Sequence, residues 1–497
     1  MFRRLRGALA ALDDPGAYHK HRMQDDSSAW RRRWERLTGL GDPHPQSERV
    51  RYPNPVILKR LPTGRGATEQ PNTTGDHDAL LTPTFALAVV LTAIATGLLG
   101  DFLMVVLFGM EHLVFGRGPG DFQSHVEASS YSRRVISLMV AGAFGGPAWF
   151  LLRKYTKGEK SEVDEVIWAG DGRLSLRRSL GTGLISEVVI GMGASIGREA
   201  APKLMGGVAG SVTSDWLKLS TEQRRLLVAC GGGAGLAAVY NVPLGGAAFT
   251  AELLVGSFAL SVVLPAILCS TIATTVAWIY LPDHATYLGI ANFRFTVTIM
   301  VWALIAGPAI GLFSSGYIRL VGFIAHHRLS GRKVLVGPFL AFTILGVIGI
   351  AYPALFGNGK DMAHRAFLGE GSLALLLALT ALKPLVTSLC VGSGASGGLF
   401  TPFMSTGAVF GAATGIMWSS IWPGSPVGAF ALIGAAAMIG SAMQAPLSGL
   451  VLVVELTQSG LDLMVPILVA TFLATAVARQ LDGYSIYSAR LPAQGHS

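Results

Sequence analysis

Gly191-Met-Gly-Ala-Ser-Ile-Gly-Arg-Glu-Ala-Ala-Pro-Lys-Leu-Met-Gly-Gly207 is the stretch whose reading decides the rest of the chain. A glycine-rich turn runs into a helix start, with two ionisable residues, Arg198 and Glu199, at the junction. The flanking sequence is apolar enough for a bilayer, and an ionisable residue inside a membrane segment marks a functional site. A helix start leaves several N–H groups without intrahelical partners and presents the positive end of the helix dipole. Together these can bind an anion without a full positive charge.

The surrounding composition agrees with a membrane setting. Of 497 residues, 51% are hydrophobic and 14% charged, where soluble domains carry about 25% charged residues. Glycine accounts for 62 residues with no short period. That excludes a collagenous chain and fits membrane helices whose backbones approach closely. Cys230, Cys269 and Cys390 each sit in an apolar segment without a CxxC partner, so disulfide and zinc readings are set aside. Residues 1–65 hold fourteen Lys and Arg against seven Asp and Glu, most of the net charge of +9. In a membrane protein this predicts a cytoplasmic, basic N-terminal tail rather than a nucleic-acid site. Within it, Ala29–Leu40 carries Trp30, Arg31, Arg32, Arg33, Trp34 and Arg36, and reads either as an interfacial helix or as a solvated tail. The apolar run Gly7–Leu12 is too short for a signal peptide.

From Leu80 onward apolar runs fall at 81–116, 134–152, 174–197, 200–219, 224–240, 243–281, 296–325, 333–355, 372–392, 399–420, 426–442, 445–458 and 461–480. Several approach the ~20 residues needed to span a bilayer. Others are short or broken by Gly and Pro, which is tolerated at depth only where backbone is buried in protein or lines a cavity. The expectation is an all-α integral membrane protein of many tilted and discontinuous helices, with polar loops at Arg117–Arg134, Lys154–Arg178, Pro282–Arg294, His326–Lys333 and Gly357–Gly371. Residues 1–80 are expected to form the tail and 81–495 the transmembrane domain, with no C-terminal regulatory domain expected.

Self-comparison exposes an internal repeat. Gly193-Ala-Ser-Ile-Gly-Arg-Glu-Ala-Ala-Pro202 resembles Gly394-Ala-Ser-Gly-Gly-Leu-Phe-Thr-Pro402, and Asn241-Val-Pro-Leu-Gly-Gly-Ala-Ala-Phe-Thr-Ala-Glu252 resembles Gln444-Ala-Pro-Leu-Ser-Gly-Leu-Val-Leu-Val-Val-Glu455. Gly193 and Gly394 are 201 residues apart, and Pro243 and Pro446 are 203 apart. Two motif pairs in the same order and nearly the same register define halves of about 81–282 and 295–495. Gly/Pro-interrupted helices at matching positions of two halves point to a mid-membrane transport site, commonly with inverted topology. Two matched N–H-rich loops favour an anion there, held loosely enough to leave again.

These motifs resemble those of the CLC family of chloride channels and chloride/proton antiporters, over about residues 80–495. Gly197-Arg-Glu-Ala-Ala-Pro202 is similar to the family's G-(K/R)-E-G-P motif. Gly398-Leu-Phe-Thr-Pro402 matches G-x-F-x-P, and Asp482-Gly-Tyr-Ser-Ile-Tyr-Ser-Ala-Arg-Leu491 resembles the segment of the pore tyrosine. The resemblance implies a CLC-type fold in two inverted repeats, assembled as a homodimer in the lipid bilayer of the plasma membrane and moving chloride in exchange for protons without a cofactor or metal. It implies Glu199 as gate and proton carrier. It implies anion contacts from Gly197, Arg198, Gly398, the N–H groups of Leu399 and Phe400, and the hydroxyl of Tyr487. Ser161 stands where the family's G-S-G-I-P serine falls, and only the serine of that motif is present.

The chain also departs from the pattern. Ala200 replaces a glycine, Pro202 comes one residue late, and Lys203 follows Glu199 by four, a spacing that allows the two to pair on one helix face. Lys203 either acts on the gate or faces elsewhere. Leu253 occupies the position of the inner proton-relay glutamate, which leaves a passive chloride channel as the alternative to exchange. Glu252 and Glu455, at equivalent repeat positions, are expected to cap backbone rather than carry protons. A more distant alternative is an unrelated broken-helix solute transporter. An intramembrane enzyme lacks support, since the helices hold no HExxH or paired Asp motif.

Overall fold

The computed structural model describes residues 82–490, so the tail segment Ala29–Leu40 lies outside the described residues. Within them the chain forms seventeen α-helices and no strand beyond one isolated bridge. The first half contains α1 (Pro83–Phe115), α2 (Phe122–Ala128), α3 (Tyr131–Tyr155), α4 (Val163–Trp168), α5 (Leu176–Gly191), α6 (Ala200–Trp216), α7 (Thr221–Tyr240), α8 (Pro243–Phe249) and α9 (Leu260–Ala277). The second contains α10 (Val297–His326), α11 (Gly337–Ala351), α12 (Lys360–Phe367), α13 (Leu373–Gly392), α14 (Phe400–Ser419), α15 (Val427–Met443), α16 (Pro446–Thr457) and α17 (Met464–Leu481).

Local chemistry sets many of the helix starts. Thr82, Asp121, Ser130, Ser175, Ser220, Thr296 and Ser372 each accept the N–H of the third residue on, satisfying a donor the helix leaves free. Proline opens α8 and α16, where its missing N–H is no loss. Three of the expected polar loops contain short helices, α2, α4 and α12, whose amphipathic turns are too brief to stand out among charged neighbours. The apolar run 243–281 is not continuous. After α8 a π-helical turn, Thr250–Val255, ends at Gly256 in the left-handed region, and the chain restarts at α9.

Seven helical segments are long and apolar enough to cross a membrane, and 39–50% of their most apolar windows is buried against protein. The remainder is open, with Phe102, Leu260 and Ile305 among the exposed apolar side chains. This is an integral membrane protein.

The two halves repeat one another. α6 packs on α7 as α14 packs on α15, and α1 packs on α9 as α10 packs on α17. α7 and α15 both end on a left-handed residue, Asn241 (φ 55°) and Gln444 (φ 58°). The halves are inverted relative to each other, as α8 and α16 demonstrate. Glu455 near the end of α16 accepts from the N–H groups of Leu244 (3.1 Å) and Gly245 (2.6 Å) at the start of α8. Glu252, beyond α8, accepts from Leu447 (3.2 Å) and Ser448 (2.6 Å) at the start of α16. Each helix start meets the other helix's end, so the pair runs antiparallel, with each carboxylate on the other's dipole. All three cysteines are free and buried.

Small residues allow the close approaches on which this packing depends. Gly206 of α6 and Gly231 of α7 face each other backbone to backbone, so that a methyl at either would run into the other's carbonyl.

Candidate functional site

The two glycine loops meet at the centre of the fold. Gly193 (φ 110°) and Gly394 (φ 97°) turn the chain in conformations that side-chain-bearing residues rarely adopt. The N–H of Gly197 donates to the carbonyl of Gly398 at 2.8 Å, and that of Gly398 donates to Gly197 at 2.7 Å. This antiparallel bridge joins the halves where α6 and α14 begin.

Other side chains fasten the loops from behind. Arg153 donates to the Gly394 carbonyl (2.6 Å), Ser186 to that of Ser396 (2.6 Å), and Ser137 to that of Met192 (2.5 Å). Lys383, wholly buried on α13, donates to Ser195 Oγ (2.9 Å) and to the carbonyls of Leu355 (3.3 Å) and Gly357 (2.9 Å). A buried cation with three acceptors is a satisfied group, and here it ties the first loop to the segment leading into α12.

Glu199 is buried at the start of α6 and its side chain crosses to the other half. Its Oε1 accepts from the N–H of Phe400 at 2.7 Å, and its Oε2 from the Thr401 hydroxyl at 3.2 Å. The carboxylate thus caps the N-terminus of α14, where N–H groups and the dipole favour negative charge. Tyr240 lies behind it, with its hydroxyl 2.8 Å from that of Thr401.

Below the carboxylate is a cavity of about 60 Å³, room for several waters. Glu199, Gly398, Leu399, Ser161 and Tyr487 all line it, so residues from four distant parts of the sequence converge. Ser161 Oγ accepts from Arg178 Nε at 3.1 Å. Tyr487 packs its ring edge-on to Phe249 with centroids 6.0 Å apart. Phe400, Gly197 and Arg198 do not line this cavity. Arg198 is buried, with its guanidinium 4.8 Å from the Tyr240 ring centroid and 5.8 Å from that of Phe108.

The pairing of Lys203 with Glu199 that the spacing allows does not form. Lys203 Nζ lies 2.7 Å from Asp164 Oδ2 on α4 and 4.3 Å from the Tyr487 ring centroid. Asp164 is buried and takes the ammonium as counter-charge, while Glu199, ahead of the first turn, points into the other half. Lys203 nevertheless lines the cavity beside Arg490, facing the acids Glu162 and Asp164.

Sequence reasoning missed Thr401, Tyr240, Asp164, Lys383 and Glu187. Thr401 lay inside the second glycine motif and Glu187 and Lys383 were lone charges in apolar runs, a legible signal. Tyr240 and Asp164 are brought in by tertiary packing alone.

A sequence model of the family described as "Voltage gated chloride channel" matches residues 144–479. Among curated proteins, an H⁺/Cl⁻ exchange transporter ClcA from Vibrio campbellii is 26% identical over 368 residues, covering 71% of this chain and 78% of that protein. A protein of the same name from Yersinia pestis is 31% identical over 313 residues, covering 61% of this chain. The chain spans 65% of the length of that Yersinia relative. Among solved structures, a slow cyanobacterial Cl⁻/H⁺ antiporter superposes with a TM-score of 0.71 at 23% identity, covering 82% of this chain and 97% of that one. A CLC-type fluoride/proton antiporter gives a TM-score of 0.67 at 19% identity, with the same coverage of both chains. The fold, the paired glycine loops and the family match over most of the described residues agree: the chain belongs to the voltage gated chloride channel family, the CLC transporters.

Proposed function

We propose that the protein exchanges chloride for protons across a membrane, with Glu199 as both gate and proton carrier. One observation carries this reading: the Glu199 carboxylate sits on the Phe400 N–H at 2.7 Å, at the head of a cavity from the other side. A carboxylate and a chloride ion compete for the same donors. Protonation cancels the negative charge of Glu199 and weakens its hold on the N–H, and chloride takes its place. Exchange follows because each proton that releases the side chain must be lost again before the gate can return.

In this reading Ser161, Leu399 and Tyr487 serve the anion on the cavity side, with Gly197, Gly398 and the Phe400 N–H at the gate and Arg198 beyond it. Driving force comes from the two ion gradients, with no cofactor. The basic composition of residues 1–65 supports a cytoplasmic N-terminus by the positive-inside rule, and the reading includes a homodimer in the plasma membrane. The exchange named for the Vibrio and Yersinia relatives supports proton coupling over a passive channel, despite Leu253.

Parallel chloride and proton flux from reconstituted liposomes is the test. Chloride moving against an opposed, uphill proton flux is expected. Chloride flux without proton movement refutes exchange, and no anion flux refutes chloride transport altogether.

A further inference from the structure

Glu187 is the group the transport reading leaves unused. It lies on α5, fully buried, and neither carboxyl oxygen has a hydrogen-bond partner. An ionised carboxylate in such a place costs several kcal/mol, whereas a neutral acid costs far less. No hydrogen bond in the surroundings calls for an acid there. A lone intramembrane acid of this kind calls for a functional explanation.

Its position provides one. Residues four apart share a helix face, so Gly183, Glu187 and Gly191 lie on one stripe of α5. At Gly183 that stripe meets Ala201 of α6 and Leu103 of α1, and Gly183 also lines the cavity below the gate. At Gly191 it meets the backbone of Leu107 and Glu111 on α1. Glu187 lies between these levels, one turn, about 6 Å, from each. The charges acting most strongly on it are Arg198, Glu199 and Glu111. Of the helices packed on α5, α1 supplies Glu111, the start of α6 supplies Arg198 and Glu199, and α3 supplies none of the three.

Glu111 leads outward. It is near the end of α1, and its strongest charged neighbours are Arg198, Asp361 and Lys360. α3, 25 residues long and thus about 37 Å, separates this end of the fold from the Ser161 end. The gate therefore has the cavity toward one membrane face and a line of carboxyl groups toward the other.

We propose that Glu187 is a second proton-carrying residue of the exchange cycle, handing its proton to the Glu199 carboxylate and receiving another from the Glu111 face. The O–H bond on Glu187 breaks as one forms on Glu199, and the negative charge passes to Glu187 in the field of Arg198. A proton from bulk solution, arriving by way of Glu111, restores the acid. Neutral Glu199 then yields the Phe400 N–H to chloride. This inference rests on the exchange reading above.

The experiment compares wild type with Glu187→Gln and Glu187→Asp in liposomes, reading chloride and proton flux together. Glu187→Gln preserves shape and carries no proton. It is expected to cut proton flux far more than chloride flux, since chloride can still displace the carboxylate from the Phe400 N–H, so that protons moved per chloride fall on the order of a hundredfold, within the range for a positioned proton-transfer group. Glu187→Asp is expected to recover part of that ratio. A merely structural role would lower both fluxes together and leave their ratio unchanged, and an unchanged ratio in Glu187→Gln overturns the proposal. Wild-type chloride flux without protons would instead overturn the exchange reading itself. Should Glu187→Gln not fold, infrared difference spectra between acid and neutral pH serve with wild type and Glu187→Asp. A protonated-carboxyl band that shifts in Glu187→Asp together with a changed flux ratio supports the assignment, and failure of either to change overturns it.

Discussion

Replacing Glu199 by Gln should tighten chloride binding, and the size of the effect follows from two hydrogen bonds. The carboxylate accepts from Phe400 N–H at 2.7 Å and from the Thr401 hydroxyl at 3.2 Å. A hydrogen bond to a charged group contributes about 1.5–3 kcal/mol and a neutral one about 0.5–1.5. An amide of the same shape keeps both contacts as neutral bonds, its oxygen accepting from the Phe400 N–H and its NH2 donating to the Thr401 hydroxyl oxygen, so each weakens by about 1 kcal/mol. The side chain then competes for the α14 terminus with about 2 kcal/mol less, and the apparent chloride Kd falls about thirtyfold. Thr401→Val removes the longer charge-assisted bond altogether, about 1.5 kcal/mol at the low end of the range for a charged group, and should lower Kd about twelvefold. Isothermal titration of the detergent-purified protein with chloride, in a large impermeant organic anion background, measures both. A Kd unchanged in Glu199→Gln would mean that chloride does not compete for that position, and the gate assignment would fall.

Three further outcomes are expected. Lys203→Met should destabilise the protein by about 3–5 kcal/mol, because it leaves Asp164 buried without its 2.7 Å partner; thermal unfolding in detergent measures this, and Lys203→Met with Asp164→Asn should recover most of it. Glu455→Gln and Glu252→Gln should each lower unfolding free energy by about 1–2 kcal/mol, since two charge-assisted caps become neutral ones in either case; Tm values equal to wild type would refute the capping role. Asp121, in the segment between α1 and α3, carries a pH dependence. Burial pushes its carboxyl up, but bonds from the Ser124 hydroxyl and N–H and the charge of Arg365 outweigh it and hold it below the ordinary carboxylate value of 3.8. Its contribution is therefore complete at neutral pH and lost as pH falls below about 3.8 toward its own lower value. Asp121→Asn should remove that part of the acid sensitivity in a pH series of unfolding measurements.

The motif residues were legible because the repeat made them so. Neither glycine loop alone distinguishes an anion site from tight packing, but the 201-residue offset placed Gly193 opposite Gly394, and both prove to be left-handed turns at the same site. The cross-capping by Glu252 and Glu455 followed from the same symmetry. Lys203 escaped because spacing along a helix says nothing about a buried aspartate arriving from α4. The break at Gly256 was masked by the apolar sequence on both sides, and α12 by the charges of Lys360, Asp361 and Arg365. Tyr240 reaches Thr401 across 161 positions, a contact that only packing of the two halves creates.

The bridge between Gly197 and Gly398 bears on how the protein is made. A ribosome delivers the first half some two hundred residues before its partner. Until the second half inserts, the Gly197 N–H and the starts of α8 lack the acceptors that Gly398 and Glu455 supply, and unpartnered backbone is penalised in lipid. The cavity beside Glu199 does not exist at that stage either, since Leu399 and Tyr487, which line it, have yet to emerge. A nascent chain thus lacks both the bridge and the cavity, and the two hydrogen bonds between Gly197 and Gly398 form only when both halves are in place.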